Sequence, residues 1–298
     1  MNHYYSYNQY LKSKYGRKVY KVAVDCGFTC PNRDGKVGYG GCIFCSGMGS
    51  GDFAESGTDI VTQFEKGKER LKSKVPGNCL YICYFQSFTN TYAKTEVLRE
   101  LFTKAINIKD VVALSIGTRP DCLDEEKIKM LSELNKIKPV TIELGLQTSN
   151  EKTAEFINRC YKNEVFEKAV RMLKKYGIEV VVHIIIGLPN ETEADMLNSV
   201  KYACSLGIDG IKLQLLHVLK NTKLAEIDYT PLEMEEYFRI LGKCLEIIPK
   251  NIVIHRLTGD GNKKILIAPM WSADKHRVLN SLNKYLDENN IVQGKYAE

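Results

Sequence analysis

The stretch DCGFTCPNRDG (residues 25–35), followed shortly by GGCIFC (residues 40–45), joins an apolar, strand-like run at residues 22–24 to a glycine-rich loop. It contains four of the ten cysteines of the chain within twenty residues. Core packing does not need thiols at this density, so the sequence predicts a metal-binding loop directly after the first strand.

The cysteines of this loop leave two kinds of metal centre open. A structural zinc site needs four ligands, whereas the loop offers one Cys-x-x-Cys pair (Cys42, Cys45), Cys30 and a less certain Cys26. Three thiolates suit a [4Fe–4S] cluster, because the iron without a protein ligand then binds a small molecule and passes an electron to it. Phe44 would lie beside that iron and pack against a bound adenine. We favour the cluster and keep zinc, or inert thiols, as alternatives.

Composition limits the class of protein. The chain has 298 residues and is 44% hydrophobic, and α/β barrels of this length often form one domain. It has no run of 18 apolar residues and begins MNHYY, without the apolar segment of a signal peptide. We therefore expect a soluble, cytoplasmic protein without a membrane partner. Irregularly spaced cysteines in such a chain favour metal binding and buried thiols over a disulfide framework.

The first 21 residues have an unusual composition, with six tyrosines, five lysines or arginines and no acid. Interleaved aromatic and cationic groups serve base stacking and phosphate contact, and the net charge of +6 is compatible with an anionic partner. The same composition also suits an arm packed over the protein with its lysines in solvent. Both interpretations stay open at this point.

Beyond the cysteine loop, strand-like runs alternate with amphipathic helical stretches. Strands are expected at residues 21–26, 80–85, 111–117, 141–146, 180–187, 211–218 and 252–257. Helices are expected at residues 58–74, 95–107, 125–134, 164–176, 193–206, 231–248 and 272–288. The alternation predicts parallel βαβ units in an α/β fold, an incomplete TIM-type (β/α)6 barrel. An open doubly wound sheet is the alternative. The expected divisions are an arm at 1–20, the partial barrel at 21–250 and a C-terminal extension at 251–298.

Polar residues cluster where the predicted strands end, which is where barrels of this kind place functional side chains. Glu143 lies on an apolar strand, and a lone buried carboxylate is costly, so it must be either paired or solvated. A contact to a ligand is favoured over packing in the core. His183 is more readily explained as a core histidine than as a ligand contact, and residues 187–189 as an ordinary turn. Arg119 and Lys220 suit either an anion site or the rim of the barrel.

Taken together, these motifs resemble the radical S-adenosylmethionine (SAM) superfamily and, more narrowly, the Elp3-related YtqA/YhcC family. The resemblance covers nearly the whole chain and is carried by GFTCPNRDG (27–35), YFQSFTNTY (84–92), SIGTRPDC (115–122), ELGLQ (143–147), LHVLK (216–220) and HRLTGD (255–260). The cysteine spacing is wider than the usual CxxxCxxC of the superfamily. The family pattern implies that Cys30, Cys42 and Cys45 bind the cluster, although Cys26 with Cys30 imitates the first half of the usual motif.

The resemblance implies a mechanism. SAM would chelate the open iron, and reduction by a donor such as flavodoxin or ferredoxin would release a 5′-deoxyadenosyl radical that abstracts hydrogen from the substrate in a dry barrel. By their positions in the family pattern, the SAM amino group falls near Gln86 and Ser87, the ribose near Glu143 and Gln147, and the adenine near the turn from Gly187 to Glu191.

The resemblance also implies a substrate. The YtqA branch of the family, also called MnmL-like, is implicated in converting the carboxymethylaminomethyl group at C5 of tRNA wobble uridine to aminomethyl, which makes tRNA the expected partner. Candidate contacts to substrate are Arg119, His217, Lys220 and Arg256. Two other functions stay open: a radical SAM enzyme acting on a small metabolite, and a non-catalytic RNA-binding module stapled by zinc.

Overall fold

The computed structural model describes residues 3–47, 49, 54, 57, 59–73, 75, 77–259 and 261–297. The α-helices in these ranges are α1 (Tyr7–Tyr15), α2 (Ile60–Leu71), α3 (Thr95–Ile106), α4 (Glu125–Asn135), α5 (Glu151–Phe156), α6 (Asn163–Lys175), α7 (Glu193–Ser205), α8 (Met234–Ile247) and α9 (Lys275–Glu288). The strands are β1 (Val19–Val24), β2 (Leu80–Phe85), β3 (Val111–Thr118), β4 (Val140–Gln147), β5 (Glu179–Ile186), β6 (Gly210–Leu215), β7 (Val218–Leu219), β8 (Val253–Arg256) and β9 (Leu266–Ala268).

Seven strands form one parallel sheet in the order β1-β2-β3-β4-β5-β6-β8. The sheet is strongly curled, because Lys21 on β1 and Lys212 on β6 both reach the carboxylate of Glu143 on β4. In a flat sheet with strands about 4.8 Å apart, the five steps from β1 to β6 would hold these lysines about 24 Å apart. Among the described residues no strand ladder joins β1 to β8. The expected incomplete TIM-type barrel is confirmed, and the open doubly wound sheet is wrong.

The apolar residues whose spacing predicted the helices and strands are buried in the structure. In α6, Phe166, Ala169, Val170 and Leu173 have the i, i+3, i+4, i+7 spacing of one helix face, and all four are buried against the sheet. In β5 the sequence EVVVHIII places Val180, Val182, Ile184 and Ile186 in the core on one face and directs His183 and Ile185 to the barrel interior on the other. The observed bounds lie within a few residues of the expected ones. Residues 58 and 74, the expected ends of the helix after the cysteine loop, lie outside the described residues.

Helix α1 was not expected, and it settles how the tyrosine-rich arm is placed. Ser6 and Gln9 form a capping box at its start, and the following chain turns at Gly16, which has a φ of 68°. Leu11 packs on two interior residues of β2 and β3, and the Tyr10 hydroxyl donates to Glu179 at the first position of β5 (2.5 Å). Helix α1 therefore covers the amino-terminal end of the barrel interior, as the packed-arm interpretation expects.

The last part of the chain contributes to the barrel as well as extending it. Strand β8 extends the sheet next to β6, and the backbone N–H of its Ile254 donates to Tyr5 O (2.9 Å). Strands β7 and β9 form a separate antiparallel pair, and α9 packs on α8. No helix in the described ranges has both the length and the apolar content needed to cross a bilayer. The division of the chain at residue 250 stays a prediction.

Candidate active site

A cavity of about 820 Å³ runs from the carboxyl ends of the strands down into the barrel. Its upper wall includes the cysteine loop, and its floor includes Tyr7 of α1 and interior side chains of β1, β4 and β6. Ten of the residues predicted from the sequence line it: Cys30, Cys42, Phe44, Cys45, Gln86, Arg119, Glu143, Gln147, His217 and Arg256. A single cavity thus connects the cysteine loop with the polar strand ends.

The cysteine loop is held in place by backbone contacts to the segment after α5. The Ile43 N–H donates to Ile157 O (3.1 Å), and the Asn158 side-chain amide donates to Gly41 O (2.8 Å). Gly41 has a φ of 80°, and a β-carbon there would lie 2.9 Å from the Arg33 side chain, so the loop needs glycine at this position. These contacts present Cys30, Cys42 and Cys45 on one wall of the cavity.

The donor set of this wall suits a [4Fe–4S] cluster, in which each thiolate binds a different iron. The Cys42 and Cys45 thiols share a hydrogen bond, and Arg33 donates to Ser46 O (2.5 Å) just after them. Cys26 is not part of the cavity wall. It packs against the hydrophobic core, where burial raises the pKa of its thiol. In the described part of the chain, no three His, Cys, Asp or Glu side chains surround a point where a single metal ion would fit.

Among the described residues, three of the predicted site residues have a buried side-chain oxygen without a hydrogen-bond partner: Ser87 Oγ, Gln147 Oε1 and Glu191 Oε2. An unpaired buried polar group costs about 1–3 kcal/mol, which a polar ligand would recover. Gln147 lines the cavity at the end of β4, where the strand is irregular and its φ is 68°. This unpartnered amide oxygen could accept a hydrogen bond from a polar cofactor such as SAM.

Four predicted residues do not line the cavity: Ser87, Gly187, Glu191 and Lys220. The carbonyl of Gly187 accepts from the Tyr229 hydroxyl (2.5 Å), and a β-carbon at Gly187 would lie 3.0 Å from Leu232. Glu191 accepts a hydrogen bond from the Thr148 hydroxyl, and burial raises its carboxyl pKa to about 7. The turn after β5 is thus held by contacts to other parts of the protein and does not face the cavity.

Glu143 lies at the centre of a buried polar network on the floor of the cavity, and only 1% of it is exposed. Its Oε1 accepts from Lys21 Nζ (2.5 Å) and from Ser115 Oγ (2.6 Å). Its Oε2 accepts from Lys212 Nζ and from His183 Nε2 (2.9 Å). The partners of this carboxylate in the structure are side chains of the barrel itself, whereas the sequence favoured a ligand contact, which stays a prediction.

The network is dominated by positive charge. Burial opposes ionisation of Glu143, but the charges of Lys21 and Lys212 outweigh it and hold its pKa well below the usual range. Burial, together with the neighbouring cations Lys21 and Arg256, lowers the pKa of Lys212 to about 7. Burial and Lys212 also lower the pKa of His183 to about 4, so this imidazole is neutral at pH 7.

Arg119 reaches the cavity but is held firmly by its neighbours. Its guanidinium donates to both carboxylate oxygens of Asp121 (2.9 and 2.7 Å) and to Arg159 O (3.0 Å), and it lies over the ring of Tyr161. Such a fork-to-carboxylate pair has a fixed geometry. Arg119 is therefore a rigid charge in the wall below the cysteine loop.

The sequence analysis missed Lys212 and assigned no site role to Lys21. Both sit inside apolar strands, in VYKVAV and GIKLQL, and a buried lysine is as costly as the buried carboxylate that drew attention to Glu143. The same argument applied to lysine would have found them. It would not have shown that they meet, because β1 and β6 are distant in sequence.

Comparisons with known proteins agree with this geometry. Residues 29–203 match the model of the Radical SAM superfamily, and residues 208–288 match the Radical_SAM C-terminal domain. The chain is 45% identical over 302 residues to the uncharacterized protein YtqA of Bacillus subtilis, covering 99% of this chain and 93% of YtqA. It is 32% identical over 286 residues to YhcC of Escherichia coli, covering 94% and 91%.

More distant relatives extend the comparison. The tRNA uridine(34) acetyltransferase of Methanocaldococcus jannaschii is 27% identical over 187 residues, covering 60% of this chain and 34% of that protein. The solved structure of Methanocaldococcus infernus Elp3 superposes with a TM-score of 0.69 at 20% identity, covering 93% of this chain and 64% of that one. The chain belongs to the radical SAM superfamily, whose cofactors are a [4Fe–4S] cluster and SAM, and within it to the family of YtqA and YhcC.

Proposed function

We propose that this radical SAM enzyme acts on tRNA and converts the carboxymethylaminomethyl group at C5 of the wobble uridine to aminomethyl. The observation that carries the proposal is the charge of the cavity. Its described lining includes one carboxylate, Glu143, and seven cationic side chains: Lys21, Arg33, Arg70, Arg119, Arg159, Lys212 and Arg256. Two of these, Arg119 and Arg159, are paired with Asp121 and Glu151 outside the lining. A cavity of this kind suits an anionic substrate such as a nucleotide with a carboxylate on its base.

The relatives support an RNA substrate. The M. jannaschii relative is named for its action on uridine 34 of tRNA, and the Elp3 structure has the same fold over most of this chain. The tyrosine-rich composition of the arm is weak support for RNA binding, because Tyr7 and Tyr10 of helix α1 pack on the barrel. The case for tRNA therefore rests on the cavity and the relatives, with α1 contributing no base-stacking surface through these two residues.

Several of the predicted site residues then have a proposed role. Cys30, Cys42 and Cys45 hold the cluster, and Phe44, between the last two, packs against the adenosyl group. When bound, the cluster and SAM supply a 5′-deoxyadenosyl radical. Gln86 at the end of β2 binds the amino group of SAM, and Gln147 binds the ribose through its unpartnered oxygen.

Glu143 takes a different role from the expected ribose contact. Both of its oxygens are engaged by Lys21 and Lys212, so we assign it the task of positioning these two ammonium groups. The Gly187 and Glu191 turn supports the wall behind the adenine without a side-chain contact. His217 packs on Gly259 and Gly261, where any β-carbon would meet its ring, and this contact shapes the wall next to Arg256.

Reconstituted enzyme tests the proposal. The protein is loaded with iron and sulfide without oxygen, reduced, and incubated with SAM and tRNA that carries the carboxymethylaminomethyl group, and the nucleosides are then analysed by mass spectrometry. We expect 5′-deoxyadenosine and aminomethyluridine, both absent from the Cys30/Cys42/Cys45 triple alanine variant and present in Cys204→Ala, whose thiol lies on α7 away from the cavity.

The outcomes separate the competing functions. SAM cleavage without any change to tRNA, together with no salt-dependent binding of tRNA, would favour a small-metabolite substrate. Bound zinc without SAM cleavage would identify the cysteine loop as structural and reject the proposal entirely.

A further inference from the structure

On the floor of the cavity, two ammonium groups share a single carboxylate. Lys21, Lys212 and Arg256 line it together, and Glu143 is the one carboxylate among the described lining residues. The ammonium groups share that carboxylate from opposite sides, one on each oxygen. Buried cations are costly unless they are paired, so a cluster with surplus positive charge favours an added anion.

Each ammonium group has donor capacity left for such an anion. Lys212 Nζ donates to Glu143 and lies 3.3 Å from the Tyr84 hydroxyl, while Lys21 Nζ donates to Glu143 and lies 3.2 Å from Ser115 Oγ. An ammonium has three N–H donors, so these oxygens use two of the three on each lysine. Both lysines also face the cavity.

The protonation behaviour of the floor points the same way. The pKa of Lys212 is about 7 because burial and the like charges of Lys21 and Arg256 outweigh the attraction of Glu143. The pKa of His255, whose ring lies in the same floor, is also lowered, chiefly by burial and by Lys21. Burial is the main cause of both shifts, and the like charges of the neighbouring cations add to it.

We propose that Lys21 and Lys212, with Arg256 beside them, form a subsite that binds a carboxylate of the substrate. This inference rests on the proposed function, which makes that carboxylate the end of the C5 side chain. Lys212 lies three residues before the end of β6, about 10 Å below the strand ends at a rise of about 3.3 Å per residue. A carboxylate held there places the adjoining methylene and amine above it, on the side of the cysteine wall.

Binding to two small ligands tests the subsite. The nucleoside 5-carboxymethylaminomethyluridine carries a carboxylate that its methyl ester replaces with a neutral, slightly larger group. Each is titrated calorimetrically into anaerobic holoenzyme that contains SAM. We expect the carboxylate to bind at least tenfold more tightly than the ester. The variants Lys21→Met and Lys212→Met should each reduce this preference to less than threefold while leaving the affinity for the ester unchanged.

Control variants separate a binding role from a structural one. Lys129→Met removes a lysine from the outer face of α4, where it pairs with Glu125, and should keep the full preference. Lys212→Arg keeps the charge, should keep most of the preference, and serves as the test if Lys212→Met fails to fold. Equal weakening of both ligands, or a preference that survives in both methionine variants, would overturn the subsite.

A simpler probe distinguishes failure of the subsite from failure of the tRNA function. N-methylglycine and its methyl ester carry the same contrast without any nucleoside. In one outcome the enzyme binds N-methylglycine more tightly than its ester, loses this preference in the methionine variants, and yet converts no tRNA. That result would support the subsite and reject the tRNA function. If it converts tRNA and shows no lysine-dependent preference in either ligand pair, the function stands and the subsite is wrong.

Discussion

Tyr7 stacks on His255 with ring centroids 3.9 Å apart and an angle of 24° between the ring planes. The contact joins α1, near the amino terminus, to β8, the last strand of the parallel sheet. Lys21 Nζ lies 4.9 Å from the centre of the same tyrosine ring. The aromatic pair therefore forms part of the cavity floor beneath the charged network, and the tyrosine-rich basic arm contributes to the barrel interior.

Replacing Tyr7 by alanine tests this structural role. Loss of a half-buried ring that stacks on His255 should lower the free energy of unfolding by about 2 kcal/mol, because the stacking and the partial burial of the ring are both lost. Tyr296→Ala, at a side chain that is 61% exposed, is the control and should change stability little. Urea unfolding and tRNA titration measure both effects. Unchanged stability with a large loss of tRNA affinity would assign Tyr7 to RNA binding.

The cluster ligands can be tested separately from catalysis. Alanine at Cys30, Cys42 or Cys45 should remove most of the absorbance near 400 nm and most of the roughly four iron atoms expected per chain. Cys26→Ala should keep both, because that side chain packs in the core and not on the cavity wall. Iron analysis and visible spectroscopy decide the matter. A Cys26 variant that loses its iron would show that our ligand set is incomplete.

Gln147→Met should weaken SAM binding about tenfold, or about 1.4 kcal/mol, because the unpartnered amide oxygen is removed. Without SAM its free energy of unfolding should hold steady or rise, since no existing bond of that oxygen is lost. Ser199→Ala offers the reverse pattern, because its hydroxyl accepts from Ser149 N (2.8 Å) and so contributes to stability alone. Equilibrium dialysis and unfolding measurements compare the two, and equal SAM affinities would reject the ribose contact.

Glu143→Gln should lower the free energy of unfolding by about 3 kcal/mol, because it removes the charge that compensates two buried ammonium groups. SAM affinity should change by less than threefold if the carboxylate only positions Lys21 and Lys212. Dialysis with labelled SAM at pH 7.5 measures this directly. A drop in SAM affinity without a stability change would restore the ribose contact to Glu143.

The stability of the protein should depend on pH through Glu191. Its folded-state pKa is raised to about 7, chiefly by burial, from an ordinary value near 4.5. Between these values the folded state binds more protons than the unfolded state, so this carboxyl group makes stability fall as pH rises. Glu191→Gln removes that contribution and should gain about 1–2 kcal/mol relative to wild type between pH 5 and 8.

Urea unfolding at pH 5, 6, 7 and 8 measures this trend. Glu193→Gln is a control of opposite sign, because hydrogen bonds from Lys243 and Arg239 lower the pKa of Glu193 and stabilise the protein above its normal titration range. Parallel pH profiles for wild type and Glu191→Gln would show that Glu191 is not perturbed in this way.

Much of the barrel is predictable because its signals are local. The strand GIKLQL and the buried face of α6 can be predicted from the periodicity of their apolar residues. This periodicity depends only on residues that are close together in the chain. Helix α1 was missed because its aromatic residues mask the apolar stripe, although the Ser6 and Gln9 capping box was visible in the sequence. The short helix α5 gave no comparable signal in its six residues.

The sequence alone determined the βα order, the cysteine loop and the polar strand ends, because each depends on residues close together in the chain. Tertiary structure alone decided that Lys21, Glu143 and Lys212 meet, since curling of the sheet brings β1, β4 and β6 around one interior. It also decided that Tyr7 closes the floor against His255. Long-range electrostatic contacts of this kind depend on the three-dimensional path of the backbone, which local pattern does not encode.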